Sequence, residues 1–254
     1  MINIEKAKQL FDEFIRKYDM ENPEIKRKYY HSLRVSNLCK EIAKSLNLEE
    51  EDQNIAQLIG LLHDIGRFNQ VTKFHTYNDK ISLNHGIEGY NILKENHYIQ
   101  EYVEEKIIQD LVLKAVINHN KTFIDSDLNE REVLFCKMIR DADKLDIYSI
   151  WINDMEYNYI DGYISDTIYE RILSCKVDYE DTQNNLDFYV LGVGLVFDIH
   201  FPYSYRYLIR ENYMNKLIDK IEKTNPHEYE KLEKIRETVR KYLEKKKESF
   251  KISF

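Results

Sequence analysis

The sequence predicts an all-α fold, and three observations lead to that prediction. The chain of 254 residues contains only 7 Gly and 3 Pro, which favours long helices over tight turns. Apolar residues recur at helical spacing along most of the chain, and no pair of alternating segments flanks a hairpin turn. Hydrophobic residues make up 43% of the sequence and charged residues 32%, as in globular proteins with a sizeable core.

The apolar spacing predicts a series of helices through the first 150 residues. Their approximate ranges are 3–18, the stretch from Val35 to Leu46 that follows the turn signal Asn22-Pro23, 52–64, 85–96, 100–119 and 133–150. The helix at 52–64 is apolar on nearly all sides, so we expect it to be the most buried. Residues 66–84 are polar and aromatic, and irregular structure is predicted there.

The rest of the chain is also predicted to be helical. The expected ranges are 165–175, 185–200, 204–222 and 228–248. The last of these has a Glu- and Lys-rich face, which is typical of a helix surface in contact with solvent. We divide the chain into a helical domain of residues 1–160 and a helical C-terminal extension of residues 161–254 packed on it, with one continuous domain as the alternative.

Charge and cysteine content restrict the functional classes. A net charge of −8 disfavours binding to duplex nucleic acid, which depends on a basic surface. A small anionic substrate remains compatible, since a bound metal can supply local positive charge. The 3 cysteines form no C-x-x-C pair, which suits a reducing cytoplasm. The N-terminus lacks a signal peptide's apolar core, and no apolar run approaches the ~20 residues that cross a bilayer. A cytoplasmic protein without membrane contact is therefore expected.

His63 and Asp64 interrupt the apolar segment Ile59–Arg67 and are the first candidates for a functional site. Ionisable side chains are rarely buried unless they are paired or bind a metal. Taken alone, this pair is better explained as two polar residues that leave the core at the end of a helix than as a functional site. Other polar residues, however, lie on inward helical faces or at a helix start: His31, His85, His119 and Asp143. A divalent metal satisfies such a set together, and helical bundles form these sites from facing helices.

These residues resemble the signature of the HD-domain metal-dependent phosphohydrolases. The order His31, His63-Asp64 and Asp143 matches the family's H…HD…D pattern, and the resemblance covers about residues 25–150. It implies an HD-domain-like helical bundle, here with additional C-terminal helices, and a metal bound by these four side chains. Asp141 is the alternative last ligand, but the register of the Ala-Asp-Lys-Leu segment favours Asp143.

The resemblance also implies a second metal ion. HD subfamilies with two metals, including cyclic-dinucleotide phosphodiesterases and dinucleoside-polyphosphate hydrolases, add two histidines between the HD pair and the last Asp. His85 and His119 are suitably placed, and Asp64 would then bridge the ions. The alternative is that both histidines line the pocket and contact phosphate. The expected cofactor is therefore one or two divalent ions, from Mn, Fe, Mg, Zn, Ni or Co. No Gly-Tyr-Pro follows the HD pair, so cyclic-di-GMP hydrolysis is not expected.

Four residues are candidates for catalysis or substrate binding. Asp64 is expected to bind metal and orient the attacking water. Arg67 has a planar guanidinium that suits a phosphate group, although a surface ion pair is the alternative. Lys144, next to Asp143, is predicted to be catalytic and substrate-binding like Arg67, and Arg34 is a third candidate for substrate binding.

The sequence thus predicts a metal-dependent phosphohydrolase or phosphodiesterase that hydrolyses a phosphate ester of a small, nucleotide-like substrate with metal-activated water. Two alternatives stay open: an HD-type oxygenase with a di-iron centre, and a nucleotide-binding sensor without catalysis. The intact ligand set argues against the sensor. The aromatic segment 197–207, with Arg206, could stack a nucleobase, but simple packing at a helix junction explains it better.

Overall fold

The computed structural model describes residues 2–153, 162–176 and 182–251. Within these ranges the chain is helical and has no strand, which confirms the all-α prediction. Two compact units are present, Met1–Asp143 and Lys144–Phe254. The predicted domain boundary between residues 160 and 161 lies outside the described residues and stays a prediction.

The first unit is built around one buried helix. Its helices are α1 (Ile4–Ile15), α2 (Pro23–Ser45), α3 (Glu50–Leu62), α4 (Ile65–Phe74), α5 (His85–Lys94), α6 (Ile99–Tyr102), α7 (Lys106–Asn118) and the first part of α8 (Glu130–Asn153). Every residue of α3 from Asn54 to Leu62 is buried, as the sequence predicts. Gly60 lets α2 approach closely, because a Cβ atom there would lie only 2.7 Å from the Ser36 Cα atom.

Two segments of this unit differ from the sequence prediction. Residues 66–74, expected to be irregular, belong to α4, whose inner face carries Phe68 and Val71 together with the fully buried amide of Gln70. The expected helix at 100–119 is interrupted between α6 and α7. The chain is extended at Val103, whose carbonyl accepts a hydrogen bond from the Gln109 side chain at 3.0 Å. Buried polar side chains thus determine both departures, and apolar spacing does not reveal them.

The second unit is also helical wherever it is described. It contains the end of α8, α9 (Asp166–Leu173), α10 (Asn185–Gly194), α11 (Pro202–Arg210), α12 (Tyr213–Thr224) and α13 (Tyr229–Ser249). The helix predicted at 204–222 is divided by Asn212, which has a left-handed φ of 54°. The helix predicted at 185–200 changes after Gly194 into a 3-10 turn, Leu195–Asp198. None of the described helices has both the length and the apolar character that a membrane span needs.

Candidate metal centre

The packing of α2 on α3 brings together His31, on α2, and His63, directly after α3. Both side chains are fully buried, and their Nε2 atoms are 3.2 Å apart. The His63 Nδ1 atom lies 2.8 Å from the carbonyl oxygen of Gly60. A carbonyl only accepts, so Nδ1 carries the proton and the lone pair of His63 Nε2 points towards His31. This is the orientation a metal ligand requires.

A second histidine pair is formed by His85 at the start of α5 and His119 directly after α7. Their Nε2 atoms are 3.0 Å apart. The His119 Nδ1 atom donates to the carbonyl of Val116 at 2.6 Å, and the His85 Nδ1 atom donates to Asp79 Oδ2 at 2.6 Å. Both Nε2 atoms therefore present lone pairs to each other. Two lone pairs at this distance repel unless a cation lies between them, so this pair fits a metal ion.

Asp64 lies between the two histidine pairs, in the turn that joins α3 to α4. Its Oδ2 atom is 3.4 Å from His31 Nε2 and 3.5 Å from His63 Nε2. Its Oδ1 atom is 3.5 Å from the Nε2 atoms of both His85 and His119. In each of the two groups that share Asp64, the possible ligand atoms lie within 4.8 Å of one another. Imidazole and carboxylate ligands suit divalent transition metals.

Asp143, on α8, joins the first of these groups. Its Oδ1 atom lies 3.1 Å from His31 Nε2 and 3.6 Å from His63 Nε2. Asp141 is fully buried, whereas 19% of the Asp143 side chain is exposed. The short distances from Asp143 to the histidine pair favour Asp143 as the last ligand, in agreement with the register of the sequence motif.

The protonation states suit metal binding, which requires ionised carboxylates and neutral imidazoles. Burial raises the pKa of Asp64, but the Lys28 ammonium and His63 outweigh it and hold that pKa well below its usual range. Burial likewise raises the pKa of Asp143, and its interactions with His31 and His63 bring it well below its usual range. Burial lowers the pKa of His85 to about 3 and also lowers that of His63.

Arg67 lies beside Asp64, and only 15% of its side chain is exposed. Its Nη1 atom donates to the Gln70 side chain, the carbonyl of Tyr77 and Asp79 Oδ1, at 2.6, 2.7 and 2.9 Å. Its Nε atom lies 3.6 Å from Asp64 Oδ1 and makes no hydrogen bond. One edge of the guanidinium is therefore held by the protein, while Nε lies buried beside Asp64 without a hydrogen-bond partner.

Lys28 is a second cation at the site, and the sequence prediction missed it. Its Nζ atom lies 2.7 Å from Asp64 Oδ2, and 15% of its side chain is exposed. The charged groups of Arg27, Lys28 and Arg67 lie 5.5, 5.4 and 5.6 Å from the centre of the Tyr77 ring. Lys28 precedes His31 by three residues on α2, and this spacing, which places both on one helical face, is the signal that could have identified it.

Lys144 and Arg34, the other two predicted substrate-binding residues, have surroundings unlike those of Arg67. Lys144 is buried in the second unit, where its Nζ atom lies 2.7 Å from Asp198 Oδ2. Arg34 is exposed on α2, one turn after His31. A substrate-binding role for either stays a prediction.

The aromatic segment 197–207 packs within the second unit. The Phe197 ring centre lies 4.9 Å from that of Tyr242 on α13, and the Tyr205 hydroxyl donates to the carbonyl of Ile199 at 2.6 Å. These contacts support the packing interpretation of this segment over nucleobase stacking.

Comparison with known proteins gives one match. A family model described as the HD domain matches residues 29–148. No curated protein and no solved structure matches the chain. The matched range contains all six candidate ligands, namely His31, His63, Asp64, His85, His119 and Asp143.

Proposed function

The chain belongs to the HD-domain superfamily, and from that membership we propose that it is a metal-dependent phosphohydrolase acting on a phosphate ester of a small, nucleotide-like substrate. The observation that carries the proposal is the position of Asp64 between two histidine pairs whose Nε2 atoms converge. His31, His63, Asp64 and Asp143 would hold one ion, and Asp64, His85 and His119 a second. When bound, such ions activate water near neutral pH and neutralise charge on the phosphoryl group.

The protein's own contribution to the reaction is to hold these ligands in position. Hydrogen bonds at Nδ1 fix the rings of His63, His85 and His119, so little reorganisation accompanies ligand binding. Burial of Asp64 keeps bulk water away from the carboxylate that both groups share. Low local polarity strengthens every charge–charge interaction at the site.

The cations beside Asp64 support a phosphorylated substrate. Arg67 is held beside Asp64 with a buried, unpartnered Nε, and Lys28 places an ammonium group next to the same carboxylate. Arg27 adds a third positive charge around the Tyr77 ring. Each of the three cations is paired with a carboxylate in the structure, and Arg and Lys side chains are the groups that recognise phosphate. The nucleotide part of the substrate rests on the resemblance to nucleotide-acting HD subfamilies.

Metal removal tests this function directly. The purified protein is expected to hydrolyse bis(4-nitrophenyl) phosphate, to lose that activity on treatment with EDTA, and to regain it when Mn²⁺ is restored, since the ions supply the activated water. Release of 4-nitrophenolate measures the rate, and a panel of nucleotides then defines the substrate. Hydrolysis that persists at full rate after complete metal removal would contradict the proposal. Oxygen uptake by an iron-loaded sample, without phosphoester hydrolysis, would favour the oxygenase alternative.

Replacement of Lys28 tests the role of the cations. Lys28→Met is expected to lower kcat/KM by about 10–100-fold, since a hydrogen bond to a charged group contributes about 1.5–3 kcal/mol. The exposed Lys26, on the same helix, provides the matched control as Lys26→Met. Equal values of kcat/KM in the two variants would show that Lys28 does not contact the substrate.

A further inference from the structure

Asp79 links two parts of the candidate site that the sequence motif leaves unconnected. It lies in the short 3-10 turn Asp79–Ile81, between α4 and α5. Its Oδ2 atom accepts from His85 Nδ1 at 2.6 Å and from Asn120 Nδ2 at 3.1 Å. Its Oδ1 atom accepts from Arg67 Nη1 at 2.9 Å and from Gln70 Nε2 at 2.8 Å. One carboxylate therefore accepts hydrogen bonds both from His85, a candidate metal ligand, and from Arg67, the arginine beside Asp64.

The support of His85 differs from that of the neighbouring histidines. His63 and His119 each donate from Nδ1 to a main-chain carbonyl three residues earlier in their own helix, so regular helical structure fixes these rings. His85 donates to a side chain from the preceding connection. A carboxylate at this position orients the ring and raises the basicity of its other nitrogen. The orientation of His85 thus depends on where residue 79 lies.

The surrounding hydrogen bonds fix that location. Gln70 is fully buried on α4. Its Oε1 atom accepts from Arg67 at 2.6 Å, and its Nε2 atom donates to Ser82 Oγ and the carbonyl of Leu83 at 2.8 and 2.9 Å, in addition to Asp79. Arg67, Gln70 and Asp79 form a closed ring of hydrogen bonds. A shift of Asp79 would therefore move both His85 and Arg67.

We propose that Asp79 is a positioning residue that holds His85, of the second ligand group, and the Arg67 guanidinium beside Asp64 as one unit. Through Oδ2 it directs His85 Nε2 towards His119 and Asp64. Through Oδ1 it holds the guanidinium of Arg67 against the same Asp64. The inference rests on the proposed function in one respect, namely that the two ligand groups bind metal.

Asparagine cannot reproduce this arrangement, which makes Asp79→Asn an informative variant. All four partners of Asp79 present N–H groups, and both carboxylate oxygens accept. An amide has one accepting oxygen and one NH₂ group. If its oxygen faces His85, its NH₂ group opposes the donors of Arg67 and Gln70; the reverse orientation opposes His85. Either result breaks the link while side-chain volume is conserved.

The first measurement is the number and affinity of Mn²⁺ ions bound by the whole chain, by isothermal titration calorimetry and elemental analysis. The wild-type protein is expected to bind two ions. Asp79→Asn is expected to keep the first and to bind the second about 10–100-fold more weakly, the usual effect of losing such an orienting partner. The matched control is Asp12→Asn, because the Asp12 side chain accepts from the Tyr29 hydroxyl at 2.9 Å and belongs to neither ligand group. A second ion bound with wild-type affinity in Asp79→Asn, or only one ion in the wild type, would overturn the inference.

A second variant separates positioning from general stability. Arg67→Gln removes the arginine but leaves the contact between Asp79 and His85, so it is expected to retain both ions while raising KM for bis(4-nitrophenyl) phosphate. Asp79→Asn is expected to change both quantities. Loss of the second ion in Arg67→Gln, to the same extent as in Asp79→Asn, would assign the effect to the network as a whole and refute the specific role of Asp79. Because metal binding is measured without turnover, absence of hydrolysis by the wild type would contradict the proposed function, while the metal-binding outcomes would still decide the role of Asp79.

Discussion

Asp64→Asn is expected to lower the rate of bis(4-nitrophenyl) phosphate hydrolysis by about 10³-fold. A bound metal stabilises the transition state by several kcal/mol, and each 1.36 kcal/mol of lost stabilisation lowers the rate about tenfold. Both oxygens of Asp64 face histidine nitrogens, one towards each pair. The amide NH₂ group of asparagine would face one of the pairs and cannot bind metal. One substitution should therefore weaken both ions, as elemental analysis of the purified variant will show.

The control for this variant is Asp52→Asn on α3. Asp52 lies at the start of the helix that leads to His63, where its side chain pairs with Arg131 at 2.6 Å. This change is expected to leave metal content and rate at wild-type values. Retention of two ions and of wild-type activity in Asp64→Asn would show that Asp64 is not the shared ligand. Circular dichroism of each variant serves as the check that it is folded.

Gly60→Ala is expected to lower the free energy of unfolding by about 1–3 kcal/mol, the usual cost of overpacking. The added Cβ atom would lie 2.7 Å from the Ser36 Cα atom and 2.9 Å from the carbonyl oxygen of Val35. Both are main-chain atoms, so α2 itself has to move. The better helix propensity of alanine, about 1 kcal/mol, offsets only part of this cost. Since α2 carries His31 and α3 leads to His63, weaker binding of the first Mn²⁺ ion should accompany the loss of stability.

Urea unfolding followed by circular dichroism measures this effect, and Gly89→Ala is the matched control. Gly89 is also a buried helical glycine, but the atoms closest to a Cβ there belong to the side chains of Val116 and Ile65, at 3.3 and 3.4 Å. Side chains at these distances adjust with little cost. If Gly60→Ala were as stable as the wild type, close packing of α2 on α3 would not be needed to bring the two histidines together.

Much of the fold was predictable from sequence because burial of apolar side chains leaves a periodic pattern. The continuous apolar character of α3 identified it as the buried helix, and every residue from Asn54 to Leu62 is buried. The prediction failed where buried polar groups determine the chain path. Gln70 gave α4 a polar appearance, yet its amide makes four hydrogen bonds in the interior. Asn212 divides a predicted helix through a left-handed backbone conformation that apolar periodicity does not encode.

The sequence by itself determined the helical class and indicated the candidate ligand set, because both depend on residue types at regular spacing and on the order of His31, His63, Asp64 and Asp143. Tertiary structure decided which atoms meet. Only the packing of α2 against α3 and of α5 against α7 places two histidine pairs on opposite oxygens of Asp64. Lys28 and Asp79 were likewise identified only from the tertiary structure, since an ion pair or hydrogen bond between distant segments depends on distances in space.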